Sequence, residues 1–252
     1  MPVPSLLAVF AHPDDESLWS GGVLARHAAA GARTAVVTAT WASHTQRGAE
    51  LTEALRILGT DEPRMLGYAD AWAPQSASGS MRFCDAPLDE TVGRLVAQLR
   101  EFRPEVVVTH DAYGGLTGHP DHVHTHRVTT LAVQAAGLER LYPGAGDPWQ
   151  PSALYLATHP HSAVRTLSDL ALAGKAMNSV PDERITATVD VSPWLEQKWA
   201  AVLAHRTEVE RGAAPGLLAG LPATVREWIL STEWYIRQDT VSPVAHQTEL
   251  TA

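Results

Sequence analysis

The apolar residues of this chain fall into two alternating patterns. Leu6-Leu7-Ala8-Val9-Phe10 is an unbroken run of the kind a strand buried on both faces requires, and Thr34 to Thr40, Arg64 to Tyr68 and Val106 to Thr109 repeat it. Between these runs the spacing changes to that of a helix. Gly21 to Ala30 reads as helical, and Leu51, Ala54, Leu55 and Leu58 share one face of a segment from Arg47 to Leu58. Val92, Leu95, Val96 and Leu99 mark another helix, and one more is expected from about Pro120 to Ala136. Strand and helix in regular alternation predict an α/β fold with a Rossmann-like, mostly parallel sheet covered by helices on both faces. In such a sheet ligands bind beyond the carboxyl ends of the strands.

The second half is less regular. Strands are expected at Ala153 to Thr158 and Ile185 to Val191, a helix from about Pro193 to Glu210, and an edge strand at Ser231 to Gln238. We read residues 1–252 as one domain, with a core of about 5–210 and a C-terminal extension of about 211–252 whose last dozen residues fray. Residues 140–152 and 172–184 read as surface loops. Asp70 to Asp85 is rich in Ser, Ala and Gly, holds Trp72, and is long enough to suggest a loop that closes over substrate.

Charge narrows the partners. With 28 acidic against 19 scattered basic residues, a net charge of -9 argues against nucleic acid or an anionic membrane surface. The single cysteine, Cys84, leaves no internal disulfide and no thiolate cage, so a metal here must use His and carboxylate. No leader or membrane span is evident, which predicts a soluble cytoplasmic protein acting on a small molecule; a homo-oligomer is compatible with the sequence.

The chemistry concentrates directly after two of the strands. His12, Asp14, Asp15 and Glu16 place an imidazole and three carboxylates within five residues just past the first strand's end. Like charges this close repel, and a divalent cation or a proton-transfer step gives a reason to gather them. After the fourth strand comes His119-Pro120-Asp121-His122, where Pro at a first helical position puts His119 and His122 on one face. Two His and one carboxylate, with one position open, form a common catalytic zinc set. Alone, an Asp-Asp-Glu at a helix start is more often a cap and an HxxH a polar helix face; together they converge on one crevice. Five of the twelve histidines lie between His110 and His126, and His124 and His126 read as support rather than ligands.

Ala11-His12-Pro13-Asp14-Asp15-Glu16 and Gly118-His119-Pro120-Asp121-His122-Val123-His124-Thr125-His126 resemble the LmbE/PIG-L family of zinc-dependent de-N-acylases, nearest to its actinobacterial mycothiol-related branch. The resemblance runs from about residue 6 to residue 210. It implies Zn2+ held by His12, Asp15 and His122, with Asp14 as general base. It further implies that His119 stabilises the oxyanion and protonates the leaving amine, that Asp121 orients His119, and that Arg47 and Asp70 contact the sugar. His205 matches a family segment near substrate, although a surface helix position serves as well. Relatives often carry a tyrosine where this chain has Thr117, with Tyr113 four residues further back, and the segment Thr40-Trp41-Ala42-Ser43-His44 lacks their acidic loop. The expected reaction is hydrolysis of an N-acyl, in the first instance N-acetyl, group from an amino sugar or glucosaminide conjugate. Competing readings are an amidase for a non-sugar or thiol-conjugate amide, a metallo-phosphoesterase, and a metal-binding module without activity.

Overall fold

The computed structural model describes residues 3–170 and 177–241. The last dozen residues, apart from Val241, and the early part of the 172–184 loop lie outside the described residues. The chain alternates β1 (Leu6–Phe10), α1 (Asp15–Ala29), β2 (Thr34–Thr40), α2 (Gln46–Leu58), β3 (Arg64–Tyr68), α3 (Leu88–Phe102), β4 (Val106–His110), α4 (Pro120–Ala136) and β5 (Ala153–Thr158). Then follow α5 (His161–Leu170), β6 (Ala187–Asp190), α6 (Leu195–Ala204), α7 (Arg206–Glu210), α8 (Ala214–Ala219), α9 (Ala223–Leu230) and β7 (Thr232–Asp239). One seven-stranded sheet has the order β3-β2-β1-β4-β5-β7-β6. Strands β1 to β5 pair in parallel, whereas β7 is antiparallel to both β5 and β6.

Strands β1 and β2 are buried along their whole length, which is why their runs carry no polar alternation. Alternate residues of β1 serve opposite layers. Leu7 and Val9 pack with Leu95, Leu99 and Val133 of α3 and α4, while Leu6, Ala8 and Phe10 pack with Leu24, Leu51 and Leu55 of α1 and α2. The expected layered fold is therefore present. The strand order reverses between β1 and β4, and both histidine motifs leave from the carboxyl ends of that pair.

Three elements differ from the sequence reading, each for a local reason. The strand expected at an edge, β7, lies between β5 and β6, so the segment beyond residue 210 supplies an internal strand and β6 is the edge. Period-2 alternation at its start, with Glu233 and Tyr235 buried, concealed that position because Glu233 is a charge. Helix α1 begins at Asp15, six residues before Gly21, and is broken at Ser20 (φ -144°). The break frees the amides of Gly22 and Val23, which donate to the Glu233 carboxylate at 2.8 and 3.1 Å. Lys198 Nζ (2.8 Å) and the Tyr235 hydroxyl (2.8 Å) donate to the same carboxylate, so its buried charge is paired and fully bonded. Gly22 is required there, since a Cβ would stand 2.3 Å from that of Val191. The helix expected from Pro193 to Glu210 is interrupted at His205, which separates α6 from α7.

Candidate metal centre and its surroundings

The β1–α1 turn and the start of α4 bring three donor atoms together. His12 Nδ1 is 3.1 Å from His122 Nε2, and Asp15 Oδ2 is 3.3 Å from each of them. Ligands about 2.0–2.1 Å from a tetrahedral zinc ion are separated by roughly 3.3–3.4 Å, so this triangle has the dimensions of one face of such a site. The other nitrogens of both rings are occupied in the way a ligating imidazole requires. His122 Nδ1 donates to the Gly114 carbonyl at 3.2 Å, and His12 Nε2 lies 3.2 Å from Asp121 Oδ2 and 3.3 Å from Asp70 Oδ2. Burial by itself would lower the pKa of His12, but Asp121, Asp15 and Asp70 outweigh it and raise it to about 10. The carboxylates around this ring call for positive charge. Asp15, although buried, is held well below the usual carboxylate range by His122 and His110.

A second grouping, His12 with Asp70, His119 and Asp121, is also compact enough for an ion. Three of its four carboxylate oxygens accept from backbone amides, and the fourth, Asp70 Oδ2, faces His12. Asp121 accepts from the amides of Ala71 (2.9 Å) and Cys84 (3.0 Å), and Asp70 Oδ1 accepts from those of Trp72 (2.7 Å) and Ala73 (3.2 Å). These carboxylates fix the back of His12. The expected orientation of His119 by Asp121 takes a different form: the carboxylate is 3.8 Å from His119 Nδ1, and it is the Asp121 amide that donates to that nitrogen, at 3.2 Å. His119 thereby caps α4, with Pro120 in the first turn as expected. With Nδ1 accepting, the proton of the neutral ring sits on Nε2. Burial and the charges of His12 and His122 lower the His119 pKa to about 4.

Asp14 lies beside the triangle without belonging to it. Its backbone is at φ 125°, a conformation costly for any residue but glycine, and its amide donates to Glu16 Oε2 at 3.0 Å. Burial raises its carboxyl to about 7 against the pull of Arg47, with Asp15 adding to the rise. Arg47 Nη2 is 3.4 Å from Asp14 Oδ1 and also donates to the Pro13 carbonyl, while Nη1 is 3.2 Å from Glu208 Oε1. Glu16 is one of the three clustered carboxylates of the first motif, but the sequence gives it no role of its own. Its Oε1 accepts from Ser17 Oγ at 2.6 Å and lies 2.8 Å from His205 Nε2, both partners fully buried. His205 therefore does not face the cavity. Removing Glu16 would leave a buried imidazole unpaired and the strained Asp14 amide without its acceptor. Glu16→Ala is expected to cost about 3–5 kcal/mol in unfolding free energy, the range for breaking a buried pair, as read from urea denaturation at pH 7.

His110, the last residue of β4, is given no role of its own by the sequence either. Its ring stacks on His122 (centroids 3.9 Å, 7°), and Nε2 lies 3.4 Å from Asp15 Oδ2 without an aligned hydrogen bond. Its position at a strand end next to the order reversal is the signal available in the sequence. His124, edge-on to Phe83, and His126, bonded to the His110 carbonyl, stand outside the donor cluster.

A cavity of about 580 Å³ opens over the cluster, lined by His12, Asp14, Asp15, Arg47, Asp70, His119 and His122 at one end. Thr117 reaches its wall, whereas Tyr113 is 55% exposed and does not. The Asp70–Asp85 segment borders one side through Asp70, Trp72 and Ala73, and backbone bonds tie its two ends together. The Ala69 amide donates to the Met81 carbonyl and the Phe83 amide to that of Ala69, Ser76 bonds to the Asp70 and Ala42 amides, and Ser76 and Ala77 are buried. What overhangs the site is Trp72, 70% exposed, with its ring centroid 3.8 Å from that of His119.

A mostly parallel sheet with an imidazole–carboxylate cluster at its strand-order reversal defines an α/β protein able to hold a metal ion beside a ligand cavity. The family model described as GlcNAc-PI de-N-acetylase, PIG-L, matches residues 7–133, and the chain belongs to that family. It is similar to a 1D-myo-inositol 2-acetamido-2-deoxy-alpha-D-glucopyranoside deacetylase of Rhodococcus jostii, 36% identical over 92% of this chain and 90% of the relative. The enzyme of that name from Mycobacterium leprae is 41% identical, with 83% and 82% covered. Among solved structures, the conserved protein TT1542 of Thermus thermophilus superposes with a TM-score of 0.66 at 28% identity, covering 99% of this chain and all of the other. Among the described residues no helix is long and apolar enough to cross a membrane.

Proposed function

We propose that this chain is a zinc-dependent hydrolase that removes the N-acetyl group of an N-acetylglucosaminide conjugate. The observation that carries the reading is the triangle of His12 Nδ1, Asp15 Oδ2 and His122 Nε2, with edges of 3.1–3.3 Å, facing a cavity beside the carboxylate of Asp14, whose backbone is strained. These three residues would hold Zn2+, which supplies Lewis-acid polarisation of the amide carbonyl and makes water acidic enough to ionise near neutral pH. Asp14 takes the proton from the attacking water, and its raised pKa suits it to return that proton to the departing amine. His119, neutral with its proton on Nε2, donates a hydrogen bond to the amide oxygen as negative charge develops there. A cation held by His12 and His122 opposes protonation of His119 in the same way as the charge on those rings, which favours this part over that of a protonated acid. Arg47 holds Asp14, and together with Asp70 and Trp72 it borders the space for the sugar.

The reading is tested by mass spectrometry of acetate and amine release from a panel of N-acetylglucosaminides, using zinc-loaded and chelator-stripped protein. Release by the loaded protein alone supports it; no release from any member sinks it. The pH dependence has a definite sign. Asp14 must be ionised to accept a proton, so kcat/KM falls as pH drops through its pKa, and an adjacent cation can only lower that value from about 7. The acidic limb is expected at or below pH 7, and a limb well above pH 8 would exclude Asp14 as the base.

A further inference from the structure

The cavity continues away from the donor cluster into a chamber of different character. Its far walls are Leu167 of α5, Leu217 of α8, Ile229 and Leu230 of α9, Leu221 in the connection between α8 and α9, and Trp234 of β7. Two charged pairs line the cavity together with these walls: Arg211, whose Nε donates to Glu208 Oε2 at 2.8 Å, and Lys198 with Glu233. Lys198 Nζ donates to Glu233 and to the Leu230 carbonyl (3.1 Å), and the second oxygen of Glu233 accepts from Tyr235 and Val23. Of the polar side chains there, His159 is set edge-on against Trp19 (5.0 Å, 73°), and its Nδ1 is buried without a partner among the described residues.

Such a wall discriminates by chemistry. A polyol placed against it would give up hydrogen bonds to water and find few replacements, which is unfavourable for each hydroxyl buried. An alkyl chain or apolar ring gains instead by leaving water, roughly three- to fourfold in affinity for each methylene covered. The volume of about 580 Å³ lies in the range that takes drug-sized ligands, and the polar end accounts for one part of it. We propose that the substrate is an amino sugar carrying an extended apolar group, with the sugar amide at the donor cluster and the apolar group in the chamber between α5, α8, α9 and β7. This rests on the deacylase reading for its orientation. The apolar group belongs either to the acyl chain or to the aglycone, and one experiment separates the two.

Zinc-loaded Asp14→Asn, slow enough in turnover for binding to be read, is titrated calorimetrically with four compounds: the methyl and hexyl glycosides of N-acetylglucosamine, and N-acetyl- and N-hexanoylglucosamine. At least one hexyl or hexanoyl member is expected to bind roughly 30-fold or more tightly than its short partner, and the arm that gains identifies the source. The gain is expected to shrink to a few-fold when Leu217→Asn or Ile229→Asn is added, two positions on separate helices. Equal affinity of long and short members in both arms overturns the proposal, whether or not either variant folds. Turnover of the same compounds by the wild-type protein keeps the two readings apart. Tight binding of a long member with no acyl release from any compound would remove the deacylase reading and leave the chamber. Acetate release from the methyl glycoside, with no gain in either long arm, would do the reverse.

Discussion

Asp14→Asn is expected to retain the fold and its zinc while losing about 10²- to 10⁴-fold in turnover, the usual contribution of a positioned general base. The argument begins with the backbone. At φ 125° the Asp14 side chain diverges from that of Asp15, so the two adjacent carboxylates cannot serve one point. Asp15 Oδ2 meets both histidines of the triangle, whereas Asp14 Oδ1 faces Arg47. The amide in Asn keeps the size and the contact with the cavity but loses the basicity. Its backbone bond to Glu16 is unaffected, because the donor is the main-chain amide. His119→Ala is expected to cost about 10²- to 10³-fold, the range for one oxyanion donor, and to leave the acidic limb of kcat/KM in place. Metal analysis and pH profiles of both variants check the assignment. Loss of zinc from Asp14→Asn, or near-normal turnover across the neutral range, would require the two aspartates to exchange parts.

The sheet was legible because burial on both faces leaves a plain signature. Runs such as Leu6–Phe10 and Ala153–Thr158 lie in the strands at the bounds the sequence suggested, and the helical spacing of Leu51, Ala54, Leu55 and Leu58 is that of the α2 core face. What the sequence concealed was set by contacts distant along the chain. The break of α1 at Ser20 exists because Glu233, more than two hundred residues later, accepts the amides it frees. The internal place of β7 follows from that same carboxylate being buried with Lys198.

The site divides the same way. His12, Asp14, Asp15, His119 and His122 could be singled out from two short motifs because a strand end fixes where the following residues go. Which oxygen or nitrogen meets which partner could not. The resemblance implies that Asp121, two residues from His119, orients it; the turn of α4 sets the Asp121 carboxylate against His12 and its amide on His119. Glu16 and His110 act on their neighbours from behind, through His205, Asp14 and Asp15, and no local pattern announces that.

Asp15→Ala is expected to abolish metal binding and with it all measurable turnover, and the set of neighbouring variants decides which triangle holds the ion. Two trios compete around His122: His12 and His119 complete one, Asp15 and His110 the other, and the Asp15 oxygen reaches His12 as well. Their geometry separates them. His12 Nδ1 lies 3.1 Å from His122 Nε2 and borders the cavity, with its far nitrogen against Asp121. His110 is fully buried behind the stacked His122 ring, does not line the cavity, and has its pKa lowered to about 3 by burial and the His122 charge. An ion on the His110 side would have no access to a substrate carbonyl. Wild-type protein is therefore expected to carry about one zinc per chain, and Asp15→Ala, His12→Ala and His122→Ala to carry almost none, since two protein ligands hold zinc poorly. His110→Ala should keep its metal with an affinity about 10- to 100-fold weaker, the usual cost of losing a group that orients a ligand. Atomic absorption on dialysed protein, followed by zinc titration against a competing chelator, gives both quantities. Retention of metal by His12→Ala together with its loss from His110→Ala would place the ion on the buried side and remove the catalytic geometry argued for Asp14. Two zinc ions per wild-type chain would instead overturn the mononuclear site.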